Sequence, residues 1–63
     1  MERKVVARIS TELEVTSDGI TEKYQINAGD AWNLMEDGAL RRIEKDGMST
    51  VIPQTLLSEF FEL

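Results

Sequence analysis

The chain has no cysteine and no histidine among its 63 residues. Disulfides are therefore excluded, and with them zinc sites of the usual Cys/His kind. Nucleophilic catalysis through Cys–His or Ser–His pairs lacks its parts, and no serine lies in a nucleophile-elbow context. There is one proline, one tryptophan, one tyrosine and two phenylalanines. No apolar run is long enough to cross a bilayer, and residues 2–8 (ERKVVAR) are too charged for a signal-peptide core. The expectation is a cytoplasmic protein with no membrane partner. The chain begins at Met1 without a tag-like leader, which reads as a complete small gene product. Basic charge is also short: 7 Lys and Arg face 12 Asp and Glu, a net charge of −5. This balance argues against nucleic acid as a partner, because binding needs phosphates neutralised.

What is present is the composition of a globular chain, 41% hydrophobic and 30% charged. Residues 1–63 make a single domain. A chain this short buries only about 60% of its unfolded surface. Without disulfide or metal, oligomerisation is the remaining support, so a homo-oligomer is expected.

Period-two patterning dominates. From Lys4 to Thr16, Val5, Ala7, Ile9, Leu13 and Val15 share one parity, and Arg8, Glu12 and Glu14 the other. This predicts one long strand, bent near Ser10-Thr11. Asp18-Gly19 reads as a hairpin turn. Ile20, Tyr24 and Ile26 then share a face, with Glu22 as the misfit, placed where the hairpin overhangs the core. Residues 31–44 allow a helix capped by Asp30, with Ala31, Leu34, Met35, Ala39 and Ile43 as its stripe. Gly38 would sit in its middle at a cost of about 1 kcal/mol. The preferred reading is strand, turn at Asp37-Gly38, strand. Asp46-Gly47 forms another turn, and Met48–Ile52 another short strand. Gly19, Gly29, Gly38 and Gly47 recur every nine or ten residues, the period of strand plus turn.

The end of the chain changes period. Pro53 suits the first position of a helix. Leu56, Leu57, Phe60 and Phe61 follow at helical spacing and cover an arc of roughly 140°. The fold class expected is mainly β (β+α): about five antiparallel strands in a meander or SH3-like barrel, followed by a C-terminal helix.

The barrel alternative comes from a resemblance. Gly29-Asp30 before a strand, a glycine turn, and Val51-Ile52-Pro53 leading into a helical turn resemble the layout of SH3-like small barrels over about residues 24–56. The resemblance implies an architecture. It does not imply the proline-rich ligand of peptide-binding SH3 domains: their tyrosine-rich segment is absent, Trp32 does not match their ligand-binding tryptophan, and the C-terminal helix is longer.

Functional candidates follow by chemistry. Glu12 and Glu14 share a solvated strand face, which offers no cleft to split their pKa values for acid–base work. No catalytic residue and no cofactor is expected, and the chain is read as not an enzyme. Asp18, Asp30, Asp37 and Asp46 sit beside or within glycine turns without calcium-loop spacing, so they are turn formers and no metal site is expected. Four acids and no base between Glu12 and Glu22 make an acidic hairpin. Glu12, Glu14 and Glu22 are partner-binding candidates. Trp32 is core, or an interface anchor whose indole N–H seeks a partner. Leu57, Phe60 and Phe61 form a face wider than one small sheet needs, which marks them as the oligomer interface, Phe61 above all. Arg41 and Arg42 are candidates for a phosphate ligand, although adjacent strand residues point to opposite faces.

The function expected is a small acidic, non-enzymatic binding protein that regulates or inhibits a macromolecular partner, of the kind that phages encode to block a host enzyme or defence system. That last step is an association by size and charge. The alternatives are a nucleotide or signalling-molecule binder at an oligomer interface, and a structural or assembly subunit.

Overall fold

The computed structural model describes residues 2–63. Seven strands and one helix follow in the order β1 (Glu2–Ala7), β2 (Thr11–Ser17), β3 (Ile20–Ile26), β4 (Ala31–Asp37), β5 (Leu40–Lys45), β6 (Met48–Val51), α1 (Gln54–Phe60) and β7 (Phe61–Glu62). Five strands form an antiparallel sheet in the order β6-β5-β4-β1-β7, and β2 and β3 form a separate two-stranded sheet. The fold is mainly β with a C-terminal helix. The large sheet stays open, with β6 and β7 as its edges among the described residues.

The turns follow from backbone chemistry. Asp18 and Gly19 both have positive φ, as do Asp46 and Gly47. Each pair sits between partnered residues, Ser17↔Ile20 and Lys45↔Met48. These are two-residue loops whose twist matches that of the strands they join. The β4–β5 turn is shifted by one residue from expectation. Asp37 pairs with Leu40, so the central residues are Gly38-Ala39, and only Gly38 takes positive φ.

Two further expectations need correction. The long bent strand is two strands in two sheets. The chain leaves the ladder at Arg8–Ser10, where the Arg8 amide and the Ser10 hydroxyl bond groups outside β2. Arg8 N–H donates to Phe60 O at 2.9 Å, and Ser10 Oγ accepts Ala28 N–H at 3.0 Å. Ile9, placed by parity in the core, is exposed.

The C-terminal helix is also shorter than its apolar pattern. Pro53 lies outside it, with ψ 145, as the extended residue before the first turn. The helix stops at Phe60, and Phe61 and Glu62 pair with Ala7 and Val6 of β1. The last residues thus supply hydrogen bonds to an otherwise unpaired side of β1. Leu56, Leu57, Phe60 and Phe61 therefore do not make one helical face, since Phe61 belongs to a strand.

Arg8 ends the helix. Its Nε donates to Glu59 O at 3.0 Å and its Nη2 to Ser58 O at 2.8 Å. A cation on the carbonyls of a last turn satisfies acceptors and complements the helix dipole. The helix has no basic residue of its own in that turn. Replacing Arg8 by Ala should cost about 1 kcal/mol, read as a lower denaturant midpoint. Lysine should restore only part of it, because one ammonium cannot reproduce the guanidinium fork.

The core gathers Val5, Ala7, Leu13, Ile26, Trp32, Leu34, Ile43, Ile52, Leu57 and Phe61. Trp32 and Phe61 meet edge to face, with centroids 6.3 Å apart and planes at 82°. Trp32 Nε1 is buried without a hydrogen-bond partner. An orphan donor costs about 1–3 kcal/mol. Burying roughly 200 Å² of indole at about 25 cal/mol per Å² returns about 5 kcal/mol, so the ring stays inside.

Candidate functional site

The hairpin β2–β3 is the element that departs from the rest of the molecule. Its register is complete from Thr11↔Ile26 to Ser17↔Ile20. Alternation places Leu13, Val15, Glu22, Tyr24, Ile26 and Ile20 on the face that turns toward the core, and Glu12, Glu14, Lys23 and Gln25 on the outer face. Along the core-side face, Leu13 and Ile26 are buried, Val15 and Tyr24 half-buried, and Ile20 is 65% exposed. The apolar stripe continues beyond the body it packs on. Glu22 lies within this overhang, where the Tyr24 hydroxyl donates to its Oε2 at 3.1 Å.

The acidic candidates divide between two faces. Glu12 and Glu14 are exposed on the outer one, with Glu14 directly opposite Lys23. Glu22 is exposed on the other, across from Val15. They do not form one carboxylate patch. The outer face carries two acids and one base along the hairpin, while the overhang combines Glu22 with Ile20 and, at the turn, Asp18.

The remaining candidates sit elsewhere. Trp32 is only 1% exposed, so it is a core residue and its ring is out of reach of a partner. Leu57 and Phe61 are each 1% exposed, which corrects the placement of an oligomer interface on them. Of that set only Phe60 reaches the surface, and it is half-buried. Parity of the helix could not reveal this, because β7 claims Phe61.

Arg41 and Arg42 lie on opposite faces of β5. Arg41 is held on three sides: its Nε bonds Gln54 Oε1 at 2.9 Å, its Nη1 bonds Gly38 O at 3.0 Å, and Glu36 lies 3.4 Å away. Arg3 approaches the same carboxylate at 3.5 Å. Arg42 Nη1 reaches Ser49 Oγ at 3.3 Å. The two guanidinium groups do not converge, and no pocket indents the surface among the described residues.

Two of the turn aspartates share a lysine. Lys45 Nζ lies 3.2 Å from Asp46 Oδ2, 3.6 Å from Asp30 Oδ2 and 6.0 Å from the Trp32 ring centroid. The Asp46 hydrogen bond chiefly, and the charge of Asp30, hold the ammonium above the ordinary lysine range. Its contribution to stability is therefore complete below the unfolded lysine pKa, about 10.4, and fades only as pH rises through the folded value. No group of three or more Asp or Glu among the described residues is arranged to hold a metal ion. No helix among them is long and apolar enough to cross a membrane.

Sequence reasoning missed Ile20 as a surface residue. Parity put it with Tyr24 and Ile26. The available signal was its position directly after Asp18-Gly19, at the far end of a hairpin longer than the core it packs on. Comparison with protein-family models, curated proteins and solved structures finds no match.

Proposed function

We propose that this chain is a small acidic, non-enzymatic binding protein that docks onto a macromolecular partner through the β2–β3 hairpin and thereby regulates or inhibits it. One observation carries the reading: the apolar stripe of the hairpin runs past the core and ends in Ile20, 65% exposed and flanked by Asp18 and Glu22. Burying an isoleucine side chain stabilises by about 1.5–3 kcal/mol, so a partner that covers Ile20, the most exposed large apolar side chain among the described residues, gains about that much in the complex. An exposed apolar side chain with acids around it suits an apolar notch rimmed by lysine or arginine. The partner expected is thus a protein with a basic surface. The acidic excess favours its approach electrostatically. On this reading the SH3-like resemblance supplies the scaffold, a small sheet that displays a long hairpin, and the ligand chemistry is the hairpin's own. A viral origin with a host enzyme as target remains the association of size and charge that suggested it.

The separated acid faces make the reading testable. Reversal of Glu22 alone (E22K) should weaken capture of the partner from the native host at least tenfold, because it sits beside Ile20. Reversal of Glu12 and Glu14 should act mainly on the association rate and its salt dependence. Capture that is indifferent to E22K would remove the hairpin from the interface.

A further inference from the structure

The sheet edges of this molecule are not equally protected. Strand β7 is two residues long, β2 carries Glu12 and Glu14, and β3 carries Glu22 and Lys23. Short length and charge are the usual guards against edge pairing. Strand β6, Met48–Val51, has four residues, no charge and no proline.

Its free groups can be placed from the ladder. Ile52 N–H donates to Arg41 O at 2.9 Å, and the two-residue turn bonds Lys45 to Met48. Hydrogen-bonded pairs alternate in an antiparallel ladder. Thr50 is therefore bonded to Ile43, while Ser49 and Val51 turn their N–H and C=O groups away from β5. Both residues are exposed, Val51 at 37%.

We propose that β6 is a self-association strand, pairing antiparallel with β6 of a second copy about a twofold axis at Thr50. In that register Ser49 of each copy faces Val51 of the other as a hydrogen-bonded pair. The two pairs use all four outward N–H groups and their four carbonyls. Val51 O accepts a weak bond from Thr50 Oγ1 at 3.3 Å and keeps a second lone pair for the seam.

The charges agree with this arrangement. On the outer sheet face Arg42 is opposite Val51, and Glu44 is opposite Ser49. Each row crossing the seam then runs Arg42, Val51, Ser49, Glu44, with the first two from one copy and the last two from the other. Every row has neutral residues at the seam and opposite charges at its ends. On the other face Met48, apolar and exposed, comes opposite Ile52 of the second copy. The pairing is independent of hairpin docking, since β6 and the β2–β3 tip are different strands in different sheets.

Two measurements test it. Light scattering on the wild-type chain should show mass rising from the 7.1 kDa monomer toward twice that value with concentration. Val51→Lys, whose fold is checked by circular dichroism, should raise the dimer dissociation constant at least tenfold. The second uses the absence of native cysteine. Thr50→Cys places two thiols opposite each other in a non-hydrogen-bonded pair, where Cα atoms are about 4.5 Å apart and a disulfide can close. Mild oxidation should crosslink this variant at least tenfold faster than Ser17→Cys at the hairpin tip. A wild-type chain that stays monomeric up to about 1 mM, a V51K chain that dimerises undiminished, or T50C crosslinking no faster than S17C would each overturn the proposal.

Discussion

Phe61→Ala is expected to leave most of the chain unfolded at room temperature. Phe61 is 1% exposed, meets Trp32 edge to face, and belongs to the strand that completes β1. Truncating a buried phenylalanine costs about 3–5 kcal/mol. At about 0.05–0.15 kcal/mol per residue, a chain of this length has roughly 3–9 kcal/mol in all. The loss takes up the lower part of that range entirely. Phe60→Ala, one position earlier and half-buried, should cost only about 1–2 kcal/mol. Trp32 is the only tryptophan, so its fluorescence reports the result directly. Emission at the wavelength of exposed indole is expected for F61A, and native-like emission for F60A. Equal effects would mean that the aromatic pair packs as a helical face after all.

Ile26→Ala and Ile20→Asp should separate two residues that sequence pattern groups together. Both are isoleucines on the same face of β3. Ile26 is fully buried and, with Leu13, ties the hairpin to the core. Its truncation should cost about 2–5 kcal/mol, with loss of the hairpin's amide protection. Ile20 touches little of the body. An aspartate there should change stability by no more than about 0.5 kcal/mol, the range of surface substitutions. The same aspartate removes the apolar end of the stripe, so the bound partner should be lost while the fold is kept.

Much of the fold was legible. Strand alternation and the three Asp-Gly pairs located β3, β4, β5 and β6 and the turns between Ser17 and Ile20, Asp37 and Leu40, and Lys45 and Met48 to within a residue or two, because both signals are local. Val5, Ala7 and Leu13 are core as their parity requires. What was not legible depends on non-local claims. Arg8 reads as a solvated strand residue, yet it ends a helix fifty residues away. The break at Arg8–Ser10 goes with the Arg8 N–H bond donated to Phe60 O and the Ala28 N–H bond accepted by Ser10 Oγ, which no alternation encodes. Phe61 reads as helix because its apolar spacing fits, and becomes strand because β1 offers Val6 and Ala7 as partners.

The candidate surface was half legible. Glu22 was an evident misfit on its parity, and it stands on the overhang. Ile20 was not, since exposure at a hairpin tip depends on how far the core extends beneath it. The interface expected on Leu57 and Phe61 failed for the complementary reason: with so few large side chains, the core uses the widest apolar segment itself.

The most direct test of the hairpin as docking arm is to compare wild type, Ile20→Asp and Ile26→Ala in one experiment. Unfolding midpoints and capture of the partner from the native host are measured on the same preparations. The expected result is an unchanged midpoint with partner lost for I20D, and a lowered midpoint for I26A. A partner retained at wild-type level by folded I20D would contradict the account.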